Sequence, residues 1–354
     1  MTYCSRCGNE LPEGTSFCTV CGAAASSAPD NAPPTPHAPS LPPTGNGLTF
    51  RNSGVGLVLT GVLLIAVHIL AFVSSPMFTH FANILNLLKQ FAVASAIGFT
   101  VVLSMRAKGP DLSVGSVMGL SAVIISSISL SAGSVWTGLL VAMTVSVVIG
   151  LINGMFSVYF RVPAVIITII TGALAYSISL LISNGKYLTG SHPSLEDIPA
   201  ASFLLIFITF VIAFILVLLT PLGQPQHKRE KNFRHVSLLF AYVASAVIAV
   251  FAGFILVLRL GGAQSGLGSG YEVNVLFIFA VVYSSRALDN RVAPVLFSVI
   301  PAWILCVLTN ALALMGSQLY VQSLICGILA LIFGILAYVC RHEKQNAMLS
   351  LMSN

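Results

Sequence analysis

From residue 55 onward the chain is a succession of near-continuous Leu, Ile, Val, Phe and Ala runs, separated by short stretches carrying Gly, Pro, Asn, Lys or Arg. Backbone groups in hydrocarbon must be satisfied internally, so such runs span either as helices or as a closed barrel. The two-residue alternation of a barrel is absent. Candidate spans fall at 55–73, 81–105, 112–131, 134–156, 162–184, 201–220, 236–258, 272–285, 292–312 and 319–340, most of them near the ~20 residues that cross a bilayer. The span at 272–285 is short, as a broken or half-depth segment would be. The expected fold class is therefore an all-α polytopic membrane protein with about ten transmembrane helices.

Composition agrees with the pattern. Only 7% of the 354 residues are charged and 56% are hydrophobic, against roughly 25% charged in soluble domains. The net charge of +6 would suggest nucleic acid in a soluble chain, but here the position of each charge matters more than the sum. With the N-terminus inside, Arg51, Arg106, Lys108, Arg161, Lys228, Arg229, Lys231, Arg234, Arg286, Arg291, Arg341 and Lys344 fall on cytosolic connections. Only Lys186 and Arg259 fall outside, and Lys89 lies within a span. The charge therefore reports topology, with both termini cytosolic, and no nucleic-acid partner is expected.

The polar N-terminus is a different kind of sequence. "YCSRCGNELPEGTSFCTVCG" holds two Cys-x-x-Cys-Gly knuckles, Cys4 with Cys7 and Cys18 with Cys21. Four thiolates at this spacing suit a tetrahedral structural zinc, without which so short a segment would not fold. The stretch resembles the short zinc-ribbon module found at the N-termini of many bacterial membrane proteins. A site filled by four protein ligands implies no catalysis, and thiolates with no preceding signal peptide point to the cytosol. Residues 1–23 are read as the ribbon, 24–50 as an Ala/Pro/Ser-rich flexible linker in which His37 is solvated, 51–345 as the transmembrane domain and 346–354 as a cytosolic tail. Cys306, Cys326 and Cys340 sit in apolar runs and read as small hydrophobes.

Within the spans, "KGPDLSVGSVMGLSA" sets Asp111 just ahead of an apolar helix, where its carboxylate can accept from free backbone amides. Gly115 and Gly119 form one small helix face, and Gly150 and Gly154 form another around Asn153; both suit close helix packing, and a place along a solute path is the alternative. His68 reads as a packed or hydrogen-bonded core residue. No Ser/His/Asp set, phosphate loop or paired intramembrane carboxylates occur, so neither an enzyme nor proton-coupled transport is expected.

"KGPDLSVGS" (108–116), "GLINGMF" (150–156), "VPAVIITIITG" (162–172), "RLGGAQSGLGSGYEVNVL" (259–276) and "LTNALALMGSQLYVQSLICGILALI" (308–332), the last containing Asn310, together resemble the ribose- and galactose-type ABC sugar permeases, of the branched-chain and monosaccharide type. The resemblance implies a bacterial plasma-membrane subunit that performs no chemistry, pairs with a second permease copy, binds cytosolic ATPases and receives solute from an extracytoplasmic binding protein. It also places Asp111, Ser113, Gly115, Gly119, Gly150, Asn153, Gly154 and Asn310 along the pathway or in helix packing. Lys228, Arg229, Lys231 and Arg234 would face an ATPase or lipid headgroups.

The sequence departs from the family pattern mainly in loops. "PLGQPQHKREKNFRH" (221–235) is shorter than the family's ATPase-docking loop and lacks its Gly-Asn and Ser-Gly core. "YSSRALDNR" (283–291) replaces a glycine-rich stretch, and Lys108-Gly109 replaces a Gly-Gly pair. The leading expectation is an importer permease for sugars or similar small polar solutes. The second is a permease-like scaffold or regulator that no longer couples to ATP and acts through its zinc ribbon.

Overall fold

The computed structural model describes residues 2–3, 10–11, 55–107, 109–132, 134–189, 208, 231–285 and 293–352. The chain divides into two units, Met1–Thr49 and Phe50–Asn354. In the first, β1 (Thr2–Tyr3) pairs antiparallel with β2 (Glu10–Leu11). Cys4, Cys7, Cys18 and Cys21 lie outside the described residues, as do Lys228, Arg229 and all but Ile208 of the span expected at 201–220.

The second unit is helical. Its helices are α1 (Val55–Ser74), α2 (Phe81–Arg106), α3 (Val114–Ala132), α4 (Val135–Val158), α5 (Ala164–Ser183), α6 (Lys231–Leu260), α7 (Glu272–Ser284), α8 (Ala293–Leu314) and α9 (Leu319–Met352). Among the described residues nine segments are long and apolar enough to cross a membrane. The chain is a multi-pass membrane protein. Two short strands, β3 (Leu188–Thr189) and β4 (Gly262–Ala263), pair antiparallel with Leu188 opposite Ala263.

Burial sorts the helices into two classes. In α2 and α3 most of the spanning window is enclosed by protein (78% each), and much of α6 is as well (67%); in α1 and α9 little is (22% and 17%). The enclosed helices carry the small residues that let neighbours approach, such as Ala92, Ala94, Ala96 and Gly98 on α2. The outer ones present Ile65, Ile69, Phe72, Leu331 and Ile335, which suit lipid.

Two boundaries differ from the sequence reading. Helix α6 begins at Lys231, so Lys231 and Arg234, expected in the loop, lie in its first turns; their side chains are outside the described residues. Helix α9 continues to Met352, through the stretch expected to be a tail. The short span expected at 272–285 is α7, 13 residues long and preceded by two 3-10 turns, Ser265–Leu267 and Ser269–Tyr271. Helix α6 stops at Leu260 because Gly261 takes φ +67°, a turn that favours glycine.

Candidate functional site

Two irregular segments enter the helical core. The first, 109–113, leads into α3, and the second, 261–271, leads into α7. Irregular backbone at membrane depth must be enclosed by protein or line a cavity, and much of both segments is enclosed. The second is held against the start of α3. A Cβ on Gly115 would meet the Gly268 carbonyl oxygen at 2.7 Å, one on Gly119 would meet the Gly268 nitrogen at 2.8 Å, and one on Gly268 would run into the Gly115 carbonyl. The small face of α3 therefore receives the break before α7.

Asp111 is 4% exposed. Its Oδ1 accepts from the Ser113 backbone N–H at 3.0 Å and from the Ser113 hydroxyl at 2.6 Å. The Asn153 amide on α4 donates to the Ser113 hydroxyl at 3.1 Å, and the Thr171 hydroxyl on α5 donates to Asn153 Oδ1 at 2.6 Å. One polar chain thus ties the entrance of α3 to α4 and α5, with every link buried. Burial pushes the Asp111 carboxyl up to about 6, and its bonds to the Ser113 hydroxyl and amide pull the other way. Helix α4 reaches this network because Gly150 and Gly154 let it lie on α6: a Cβ on Gly150 would meet the Tyr242 carbonyl at 2.8 Å, and one on Gly154 would meet Leu239.

Asn310 of α8 stands apart from this group. It exchanges two hydrogen bonds with Asn83 of α2, at 3.0 and 2.9 Å, and Asn83 also donates to the Phe78 carbonyl at 3.0 Å. His68 donates from Nδ1 to the Leu64 carbonyl at 2.7 Å and accepts from the Trp303 indole N–H on Nε2 at 3.1 Å. Both ring nitrogens are occupied, in keeping with the core role expected for it.

The break before α7 also separates two cavities. One, of about 530 Å³, is lined mainly by apolar groups, with Gln90, Arg259, Gln264, Asn274 and Gln322 interspersed among them. The other, of about 560 Å³, lies between α3, α5 and α7. There the Ser116 hydroxyl donates to Glu272 Oε1 at 2.9 Å, facing Gly172 and Tyr176. Sequence reasoning placed Glu272 at a span end and did not connect it to Ser116, 156 residues away; it also missed Thr171 and Asn83. The one signal in the sequence was the short span that put Glu272 at its start.

The broken span at the heart of a helical membrane bundle frames the comparison with known proteins. Residues 83–222 match the family described as the permease component of branched-chain amino acid transport systems. This region is similar to the permease component of that family. Residues 3–24 match a zinc-ribbon domain. The chain is 28% identical over 284 residues to the ribose import permease of Haemophilus influenzae, covering 74% of this chain and 86% of that protein. It is 26% identical over 292 residues to the Bacillus subtilis ribose import permease (77% and 88%). It is also 28% identical over 267 residues to the autoinducer 2 import system permease of Yersinia pestis (70% and 74%). No solved structure matches. These relatives are transport permeases rather than enzymes.

Proposed function

We propose that this chain is the membrane-spanning subunit of an ABC-type importer for sugars or similar small polar solutes. The observation that carries the reading is the collinear match to import permeases over 70% or more of the chain. The irregular segment packed against α3 inside the bundle supports it, because broken elements of this kind form binding sites near the bilayer midplane. The family description speaks of branched-chain amino acids and two of the relatives speak of ribose. The ribose relatives align over most of their own length, whereas the family match covers 83–222, so we take the sugar reading.

On this reading the N- and C-termini are cytosolic, by the distribution of basic residues. The chain pairs with a second permease, cytosolic ATPases and an extracytoplasmic solute-binding protein. Asp111, Ser113, Asn153, Gly115, Gly119, Gly150 and Gly154 shape the pathway by holding α3, α4, α5 and the broken span in register; Asn310 serves helix packing. Cys4, Cys7, Cys18 and Cys21 hold a structural zinc, which the match over residues 3–24 supports.

The family's docking pattern is absent from residues 221–235. This favours a second reading for coupling alone, in which a partner permease engages the ATPase or none does. Purification of the tagged chain from its native membranes, with mass spectrometry of the co-eluting proteins, tests whether an ATPase joins the complex, through this chain or a partner permease, or none does. An ABC ATPase near equal amounts is the expected result. Recovery of other membrane or cytosolic proteins with no ATPase would overturn the importer assignment and leave the scaffold.

A further inference from the structure

Glu272 is exposed, and the lengths of the helices around it set its depth. Its helix, α7, runs 13 residues to Ser284, about 20 Å at 1.5 Å per residue, against a hydrocarbon core of ~30 Å. The Ser284 end lies against the start of α1, where a Cβ on Gly56 would meet the Ser284 carbonyl at 2.6 Å. Helix α1 begins a full span there, so Ser284 marks one membrane boundary and Glu272 lies well inside it. The residues of α5 that share its cavity, Gly172 and Tyr176, are near the middle of Ala164–Ser183, which gives the same depth independently.

A carboxylate at this depth does not face lipid; it faces water or a polar solute. Ser116 satisfies only one of its acceptor sites. We infer that Glu272, positioned by Ser116, is a solute-contacting residue of the pathway, and that it accepts hydroxyl protons of a neutral polyhydroxylated solute in the cavity between α3, α5 and α7. The inference rests on the permease reading above. The solute class follows from the cavity's composition. Apart from Ser116, Tyr176 and Glu272 it is lined by apolar side chains and Gly172, and no basic side chain is among the described residues lining it. An amino acid would place its ammonium on Glu272 and leave its carboxylate without a cation. A sugar presents hydroxyls only, which suit an acceptor carboxylate.

The test uses the full-length chain in its native membranes, in whole cells and in inverted vesicles, with a charged, membrane-impermeant thiol reagent. Glu272→Cys is compared with Ile65→Cys, midway along the lipid-exposed α1 and 62% exposed, and with the wild-type chain as the background from native cysteines. The expected result is modification of Glu272→Cys at least about tenfold faster than Ile65→Cys, slowed by D-ribose and unaffected by L-leucine. Equal rates for the two variants would overturn the site. Slowing by leucine and not by ribose would overturn the solute class.

Uptake of labelled ribose is measured alongside. Glu272→Gln keeps the shape and loses the charge, and is expected to lower uptake about tenfold, the scale of one charged hydrogen bond, with the amount of protein in the membrane unchanged. Unchanged uptake would overturn the role of the residue. The two readings fail separately: absent labelling beside intact wild-type uptake rejects this site alone, whereas a wild-type chain that moves neither ribose nor leucine rejects the permease reading.

Discussion

The two polar clusters at the entrance of α3 lie within a few residues of each other and are built differently. Asp111, Ser113, Asn153 and Thr171 form a closed chain, buried on every side, in which each group is used by its neighbour. Three residues along the same helix, Ser116 meets a Glu272 that is exposed to a cavity and keeps acceptor capacity to spare. The first cluster is a fastening, because a satisfied buried network rigidifies what it joins. The second is open to a ligand. Residues of one short motif therefore take opposite roles, decided by whether space adjoins them.

The most severe way to break the contrast is to separate the segments that carry both clusters. Gly268→Val drives side-chain atoms into the Gly115 carbonyl, whereas Gly270 has nothing within 4 Å of an added Cβ. Gly268→Val is expected to abolish the monodisperse protein peak in detergent size-exclusion chromatography, and Gly270→Ala to leave it intact.

Titration of the closed cluster comes next. The Asp111 carboxyl is raised to about 6 in the folded chain, above the ~3.9 of an exposed aspartate. The folded state therefore holds its proton through the window between these values and the unfolded state does not. Stability is fully present below roughly pH 4 and declines as pH rises through about 6, by at most about 3 kcal/mol. Asp111→Asn is expected to flatten that slope in thermal melts across the window, and a slope unchanged by the substitution would place its origin elsewhere.

A smaller effect sharpens the comparison. Thr171→Val preserves volume and removes the 2.6 Å bond to Asn153 Oδ1, at an expected cost of about 1–2 kcal/mol. It should lower the melting temperature while leaving ribose uptake per folded molecule unchanged. Glu272→Gln is expected to show the reverse: normal melting and impaired uptake. If both variants change the same quantity, the division between fastening and contact fails.

Much of the architecture was legible in the sequence because hydrocarbon leaves the chain few choices. Apolar runs near the length of a bilayer marked the described spans to within a few residues at most ends. The short run starting at Glu272 already announced the broken element. Glycines four apart correctly marked close approach, yet spacing alone did not reveal that Gly115 and Gly119 face Gly268 while Gly150 and Gly154 face α6. The site was less legible for the same reason. The pairs Ser116 with Glu272, and Asn83 with Asn310, join residues 156 and 227 positions apart, and nothing in the local sequence of either partner points to the other. Helix ends were misjudged at Lys231 and Met352, where charged residues continue a helix beyond the apolar run. Hydropathy measures the slab of lipid and is silent about a helix that protrudes from it.

The reciprocal amide pair between Asn83 and Asn310 bears on motion. Each side chain is donor and acceptor to the other, so a slide of α8 past α2 by a single residue would forfeit two bonds in one step, in surroundings where Asn310 has little water to replace them. Two helices joined in this way travel as one body. A cycle of opening and closing in this protein would hinge elsewhere; in the stretch from Gly261 to Gly270 the room to turn is confined to Gly261, Gly266 and Gly270, because Gly262 is pressed against the Leu188 carbonyl and Gly268 against that of Gly115.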